Sequence, residues 1–283
     1  MKIKKRYYFL AAFFALLYAG CQSEFMKFRE SEREQREHLQ SCGQFDFFFG
    51  TYQAEGREMH YTHTGDTALP LLLMVHGSPG SSADMLPYLG DSLLLQHFQM
   101  VSVDRPGFGF SSFGRTERSL QRQAAAIAPI LERYRTDKAI LMGHSYGGPL
   151  ICRLAMDYPE LTDGLVIVSG SIDPALEPKY WWAPVLDWPV LCHLLPPAFR
   201  VSNQEILSLP EELEAMLPLW ENISCPVVVI QGTADGLVDP ANADFARRML
   251  VHADPLTIDT LAGESHFILW TRQEVVKKRL LGF

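Results

Sequence analysis

The sequence predicts an α/β fold: a mainly parallel central sheet with helices on both faces. Short, wholly apolar runs of strand length recur along the chain, as expected of strands buried on both faces. Polar or amphipathic stretches of helix length separate them, and such alternation specifies parallel strands joined by crossover helices. A single connection of more than fifty residues, from Val168 to Val227, is too long for a crossover and predicts an inserted element.

The elements follow in order. Phe47–Ala54 and Glu58–His63 read as two antiparallel strands around the turn Glu55-Gly56. Pro70–His76 is a continuous apolar run, and Phe98–Asp104 repeats its form. Glu117–Tyr134 reads as a helix, Ala139–Gly143 as a short buried strand, Pro149–Tyr158 as a helix and Gly164–Val168 as a strand. Val227–Gln231 and Pro255–Thr260 supply two more strands. The inserted element, about residues 171–222, holds Tyr180, Trp181, Trp182, Trp188, Pro189, Pro196 and Pro197. It is expected to form a small helical lid over the C-terminal edge of the sheet.

Bulk properties suit one sizeable core. The chain has 283 residues, of which 47% are apolar, 20% charged and 11% aromatic. The net charge is −8, so no nucleic-acid partner is expected. Residues 1–20 differ from the rest. Lys2, Lys4, Lys5 and Arg6 precede a short apolar run from Tyr7 to Tyr18, with small residues after it. This is the layout of a signal peptide, and the run is too short for a membrane span of about 20 residues. Leu17-Tyr18-Ala19-Gly20-Cys21 resembles the lipobox of bacterial lipoproteins, although Tyr18 stands where that motif usually has Leu. The resemblance implies lipidation at Cys21 and an exported, membrane-anchored protein facing the periplasm or exterior. Removal of residues 1–20 takes four positive charges and no negative ones, leaving −12. Residues 21–46 are polar and charge-alternating and read as a solvated helix or tether, with Phe25, Met26 and Phe28 able to lie against the domain that spans 47–283. Cys42, Cys152, Cys192 and Cys225 fit no metal spacing, and export permits a Cys42–Cys192 bridge.

The chemistry-bearing residues stand at strand ends. Gly143-His144-Ser145-Tyr146-Gly147 is a G-x-S-x-G pattern, which has little value alone. Here it follows the strand Ala139-Ile140-Leu141-Met142 and precedes a helix, the strand–turn–helix context of a nucleophile elbow. A Ser hydroxyl needs a base, and in such folds acid and base follow the nucleophile in chain order. His266 lies after the last strand and is the expected base. Asp235 follows the strand Val227–Gln231 and is the expected acid, with Asp239 as runner-up. The loop His76-Gly77-Ser78-Pro79-Gly80 can turn backbone N–H groups inward. The N–H groups of Ser78 and Tyr146 are the expected oxyanion hole, with the Ser78 hydroxyl as a further donor and His76 holding the loop. Phe108, Trp181, Trp182 and Phe267 are candidates to line the substrate pocket. His60 and His63 have no partners at metal-ligand spacing, so neither a metal nor any other cofactor is expected.

Over nearly all of residues 47–283 the chain resembles the α/β-hydrolase fold superfamily. The resemblance rests on the loop at 76–80, Asp104-Arg105-Pro106-Gly107-Phe108-Gly109, the elbow at 143–147, Gly232-x-x-Asp235 and His266, in the family's order. It implies a serine hydrolase of the esterase or proline iminopeptidase-like group. Relatives that cleave epoxides or carbon–halogen bonds place Asp at the elbow, where this chain has Ser145. Proline iminopeptidases carry Trp after the Ser, where this chain has Tyr146, and bind a free amine through lid carboxylates; Glu177, Asp187 and Glu205 lie in this insertion, but nothing in the sequence marks them for that role. The expected function is a carboxylesterase acting on a small or medium acyl ester. An aminopeptidase or amidase of the proline iminopeptidase type, a non-catalytic ligand-binding protein and an acyltransferase are the alternatives.

Overall fold

A computed structural model describes residues 23–283, together with Ala12, Phe13 and Gly20. Those three apart, the signal peptide expected from the sequence falls outside the described residues, as does the expected lipidation site Cys21. Eight strands form one sheet: β1 (Phe47–Ala54), β2 (Arg57–Thr64), β3 (Leu71–Val75), β4 (Gln99–Val103), β5 (Ala139–His144), β6 (Gly164–Val168), β7 (Val227–Gly232) and β8 (Leu256–Leu261). Their order is β1-β2-β4-β3-β5-β6-β7-β8. The first pair is antiparallel, β2 runs antiparallel to β4, and every later pairing is parallel.

Alternation along the strands explains the two cores. Leu71, Leu73 and Val75 of β3 join Leu141, Leu165, Ile167, Val227 and Val229 on one face. Leu72 and Met74 join Ile140, Met142, Val166, Val168 and Ile230 on the other. With both faces covered, the central strands have no solvent side, which is why they read as unbroken apolar runs.

Among the described residues, six helices of eight or more residues pack around the sheet: α1 (Glu32–Ser41), α2 (Leu120–Tyr134), α3 (Gly147–Asp157), α4 (Pro197–Met216), α5 (Asn242–Met249) and α6 (Gln273–Leu280). The charged segment before β1 lies on the domain. Gln35 and Leu39 of α1 are buried, and Gln35 accepts a hydrogen bond from the Thr62 hydroxyl of β2 at 3.0 Å. Upstream of α1, the Arg29 guanidinium sits over the rings of Phe110 and Phe113. Helix α2 begins at Leu120, with Ser119 capping it, rather than at Glu117. Helix α3 begins two residues earlier than the sequence suggests, because the elbow turn is completed by Ser145 alone.

The connection between β6 and β7 contains α4 and several shorter turns. Leu209, Leu213 and Met216 of α4 are part of the core that α2 and α3 share. The insertion is therefore rooted in the domain through α4, while its first half, around residues 180–195, is largely exposed. Cys42, Cys152, Cys192 and Cys225 are all free, so the Cys42–Cys192 bridge allowed by the sequence is not formed.

Candidate active site

Strand β5 ends in a turn that only its particular residues permit. Ser145 has φ +54°, a left-handed conformation that costs a non-glycine residue of order 1–3 kcal/mol and persists where surrounding structure imposes it. Its N–H donates to the Val168 carbonyl at 3.0 Å and its carbonyl accepts from Gly148 at 2.9 Å. A Cβ on Gly143 would strike the Gly147 carbonyl, and one on Gly147 would strike the carbonyls of Val75 and His76. The two glycines thus let β5, α3 and the end of β3 close on one another, and Ser145 is pushed out at the C-terminal edge of the sheet. Helix α3 starts immediately behind it, with its positive end toward the same edge.

Asp235 and His266 meet at the ends of β7 and β8. Nδ1 of His266 lies 2.8 Å from Oδ2 of Asp235. A carboxylate only accepts, so Nδ1 carries the proton and Nε2 keeps a lone pair. The Asp235 carboxylate also accepts from the N–H groups of Leu237 and Val238, both at 2.9 Å, and from the Gln231 amide at 3.2 Å. Burial would raise the Asp235 carboxyl, but the hydrogen bonds from His266, Val238 and Leu237 outweigh it and hold it below the ordinary 3.8. Gly232 permits the approach of the two loops, since a Cβ there would meet the backbone of Glu264 and Ser265. Asp239, the runner-up, is exposed and accepts from the Ala241 N–H at 2.9 Å. It shapes the turn into α5 and has no contact with His266.

Ser145, Tyr146, His144, Gly77, Ser78 and His266 line one cavity of about 350 Å³, whose walls are mainly apolar. Among the described residues, the Ser145 hydroxyl and the N–H groups of Ser78 and Tyr146 have no hydrogen-bond partner. The Ser78 hydroxyl, expected to aid the oxyanion hole, instead donates to Oε2 of Glu205 at 2.8 Å. The Tyr146 side chain turns inward, its hydroxyl meeting the Gln123 amide and its ring lying under the Arg105 guanidinium.

The loop at 76–80 is held from behind by His76, as expected, and by Arg105, Glu205 and Gln123, for which no such role is read from the sequence. Arg105 donates to the carbonyls of His76 at 3.1 Å and Gly77 at 2.9 Å. Its guanidinium also grips Glu205 of α4, at 2.7 and 3.1 Å, and both side chains are fully buried. Gln123 donates to the same carboxylate at 3.0 Å. His76 donates through Nδ1 to the Gly77 carbonyl and accepts through Nε2 from the Arg105 N–H. Burial, with the Arg105 charge beside it, pushes His76 down to about 3 and keeps it neutral. His144 is likewise driven down to about 3 by burial and by the neighbouring His266.

Of the expected pocket residues, Phe267 lines the cavity. Phe108 does not: it is fully buried against Ala198 and Val201, with the Arg105 guanidinium 4.7 Å from its ring centre. Trp181 projects into solvent, and Trp182 stacks on Tyr180 outside the lining. Aromatic character is legible at these positions, but the direction of each ring is not. Trp270, Ile206, Leu209 and Tyr180 line the cavity instead, and Phe28 reaches it from the segment before α1. Two carboxyls also line it. Burial pushes Asp84 up to about 7 and raises Glu177, which accepts from the Ser171 hydroxyl. Among the described residues no group of three or more His, Cys, Asp or Glu side chains could hold a metal ion.

Residues 70–190 match the sequence model of the alpha/beta hydrolase fold family. An uncharacterized hydrolase of Bacillus subtilis, YugF, is 30% identical over 124 residues, 42% of this chain and 44% of its own. Epoxide hydrolase 1 of Caenorhabditis elegans is 27% identical over 167 residues, 57% of this chain and 39% of its own. The chain spans less than half the length of the curated relatives it matches. Among solved structures, a putative lipase from Acinetobacter baumannii superposes with a TM-score of 0.68 at 19% identity, covering 89% of this chain and 94% of that one. Such a likeness concerns the fold. By its sheet order, its elbow after β5 and the match over residues 70–190, the chain has the α/β-hydrolase fold.

Proposed function

We propose that the protein is a serine hydrolase, a carboxylesterase acting on a small or medium acyl ester. The observation that carries this is His266, bound to Asp235 through Nδ1 and lining one cavity with Ser145, Ser78 and Tyr146. Ser145 attacks the ester carbonyl while Nε2 of His266 takes its proton. The charge that develops on the carbonyl oxygen is held by the N–H groups of Ser78 and Tyr146 and by the positive end of α3. His266 then protonates the departing alcohol, and water repeats the sequence on the acyl-enzyme. Asp235 keeps the imidazole in the required tautomer and stabilises its protonated form. No cofactor enters these steps.

The mainly apolar walls and the volume of about 350 Å³ favour an acyl group of modest size. Epoxide hydrolases among the relatives do not carry the reading toward epoxides, because Ser145 cannot form the carboxylate ester that an elbow Asp forms. Asp84 and Glu177 favour one second reading, an aminopeptidase-like activity in which a carboxylate binds a substrate amine. A series of p-nitrophenyl esters of increasing chain length, run beside amino-acyl amides, separates the two. The esterase reading requires kcat/KM to peak at short or medium esters; a preference for the amides would overturn it. The signal peptide at 1–20 and Cys21 add export and a lipid anchor to the proposal, tested by the mass of the mature N-terminus.

A further inference from the structure

Two segments, residues 25–28 and 180–199, carry five strongly exposed apolar side chains: Phe25 is 87% exposed, Trp181 84%, Val190 76%, Trp188 68% and Leu194 58%. Phe13, Phe45, Leu237 and Val251 are comparably exposed elsewhere in the chain. The two segments also bound the cavity, through Phe28 and Tyr180. They also touch each other: the rings of Phe28 and Phe199 meet edge-on at 5.0 Å. A soluble monomer rarely exposes so much clustered apolar surface, and aromatic side chains half in and half out of water suit a bilayer interface.

We propose that these two segments form a face that docks on a phospholipid bilayer, so that the cavity opens toward the lipid. The chain itself argues for this occupant. It reaches Phe28 from a basic and then apolar leader, and Cys21 lies only seven residues upstream, a distance of at most roughly 25 Å. A lipid at Cys21 would hold the cavity mouth against the membrane. The inference rests on the anchor reading above. Charge sets the character of the contact: residues 180–199 contain Asp187 and no Lys or Arg, the one cation of residues 25–28, Lys27, is paired with Glu24, and the chain beyond residue 20 carries −12. Attraction to anionic lipid is therefore weak, and the face inserts by burying apolar surface. Contact is expected to be insensitive to salt and equal or better on zwitterionic lipid.

The test uses the full chain as its producing cells make it, reconstituted in phosphatidylcholine vesicles with brominated acyl chains. Flotation reports the anchor, and tryptophan quenching reports the face. The expected result is flotation together with a loss of tryptophan emission that persists at high salt. In the double variant Val190→Asp, Leu194→Asp, flotation should persist while the quenching is lost. Both replaced side chains are exposed, so thermal unfolding and hydrolysis of a soluble short ester should match the parent. Flotation without quenching overturns the docking face and leaves the anchor; failure of both overturns both. A vesicle-free dimer that the double variant converts to monomer, without quenching in the parent, would assign the face to a second copy of the chain instead.

Discussion

Nε2 of His144 lies 3.1 Å from the carbonyl oxygen of His266, and with that oxygen as acceptor the imidazole N–H must be the donor. The residue before the elbow serine is thereby tied to the residue that would act as its base. His144 ends β5 and His266 follows β8, strands separated in the sheet by β6 and β7. The Trp270 ring packs edge-on against His144, closing the same corner. The base is fixed from two sides, its ring by Asp235 and its backbone by His144.

The two aspartates after β7 should separate cleanly. In Asp235→Asn the amide oxygen stays with the Leu237 and Val238 N–H groups and the NH2 faces Nδ1 of His266, forcing the wrong tautomer, so kcat on a p-nitrophenyl ester should fall by about 10⁴. Asp239→Asn keeps the turn-forming acceptor at the start of α5 and should leave kcat within about twofold, with a stability change under about 1 kcal/mol. Equal losses in both variants would remove Asp235 from its role.

The elbow glycines make a prediction about backbone space. Gly147→Ala drives a Cβ into the carbonyls of Val75 and His76, at the heart of the sheet. It should cost at least about 3 kcal/mol in urea unfolding, or prevent folding. Gly236→Ala, beside Asp235, meets nothing within 4 Å and should stay within about 0.5 kcal/mol of the parent.

Glu205 should matter to both stability and rate. In Glu205→Ala the buried Arg105 guanidinium loses its charge partner, a change worth roughly 3–5 kcal/mol. The Ser78 hydroxyl loses its acceptor too, and the loop carrying the Ser78 N–H loosens. The loss in kcat should stay below the roughly 10²–10³ that removal of an oxyanion donor causes, with KM changing less. Glu205→Gln keeps an acceptor for Ser78 and should recover part of kcat while recovering little stability. Kinetics measured beside urea unfolding check both statements.

Several of these relationships are legible in the sequence, and the reason is topological. In a parallel sheet the loops after successive strands converge on one edge, so Ser145, Asp235 and His266 can be brought together from strand positions alone. Strand boundaries are legible within one or two residues because strands buried on both faces leave little ambiguity. Side-chain direction is not legible. Phe108 stands in a loop that borders the site, yet its ring turns into the core beneath Arg105. Glu205 gives no local signal, because its partner Arg105 is a hundred positions away. Phe28 lies in a charged stretch, and only the docking of that stretch on the domain carries it to the cavity.

Two buried histidines predict acid lability. His76 and His144 ordinarily take a proton near 6.5, but in the folded protein each does so only at about 3. The unfolded chain therefore binds more protons between those values. Their contribution to stability is complete above about pH 6.5 and is lost as pH falls toward 3. Asp235, held low in the folded state, adds a loss of the same sign. Asp84, raised to about 7, acts in the opposite sense: its contribution is full below the ordinary 3.8 and is lost as pH rises through 7. Glu177, also raised, acts with Asp84, but the two strongly lowered histidines dominate, so the urea midpoint should fall as pH drops from 6.5 toward 3, and His144→Gln should flatten that slope.

The central claim is that Ser145 is a nucleophile activated by His266. Reaction with a fluorophosphonate followed by peptide mass analysis tests it most directly. The expected result is one covalent adduct on Ser145, absent from Ser145→Ala and formed far more slowly in His266→Ala. A Ser145→Ala protein that labels and hydrolyses esters as fast as the parent would contradict it.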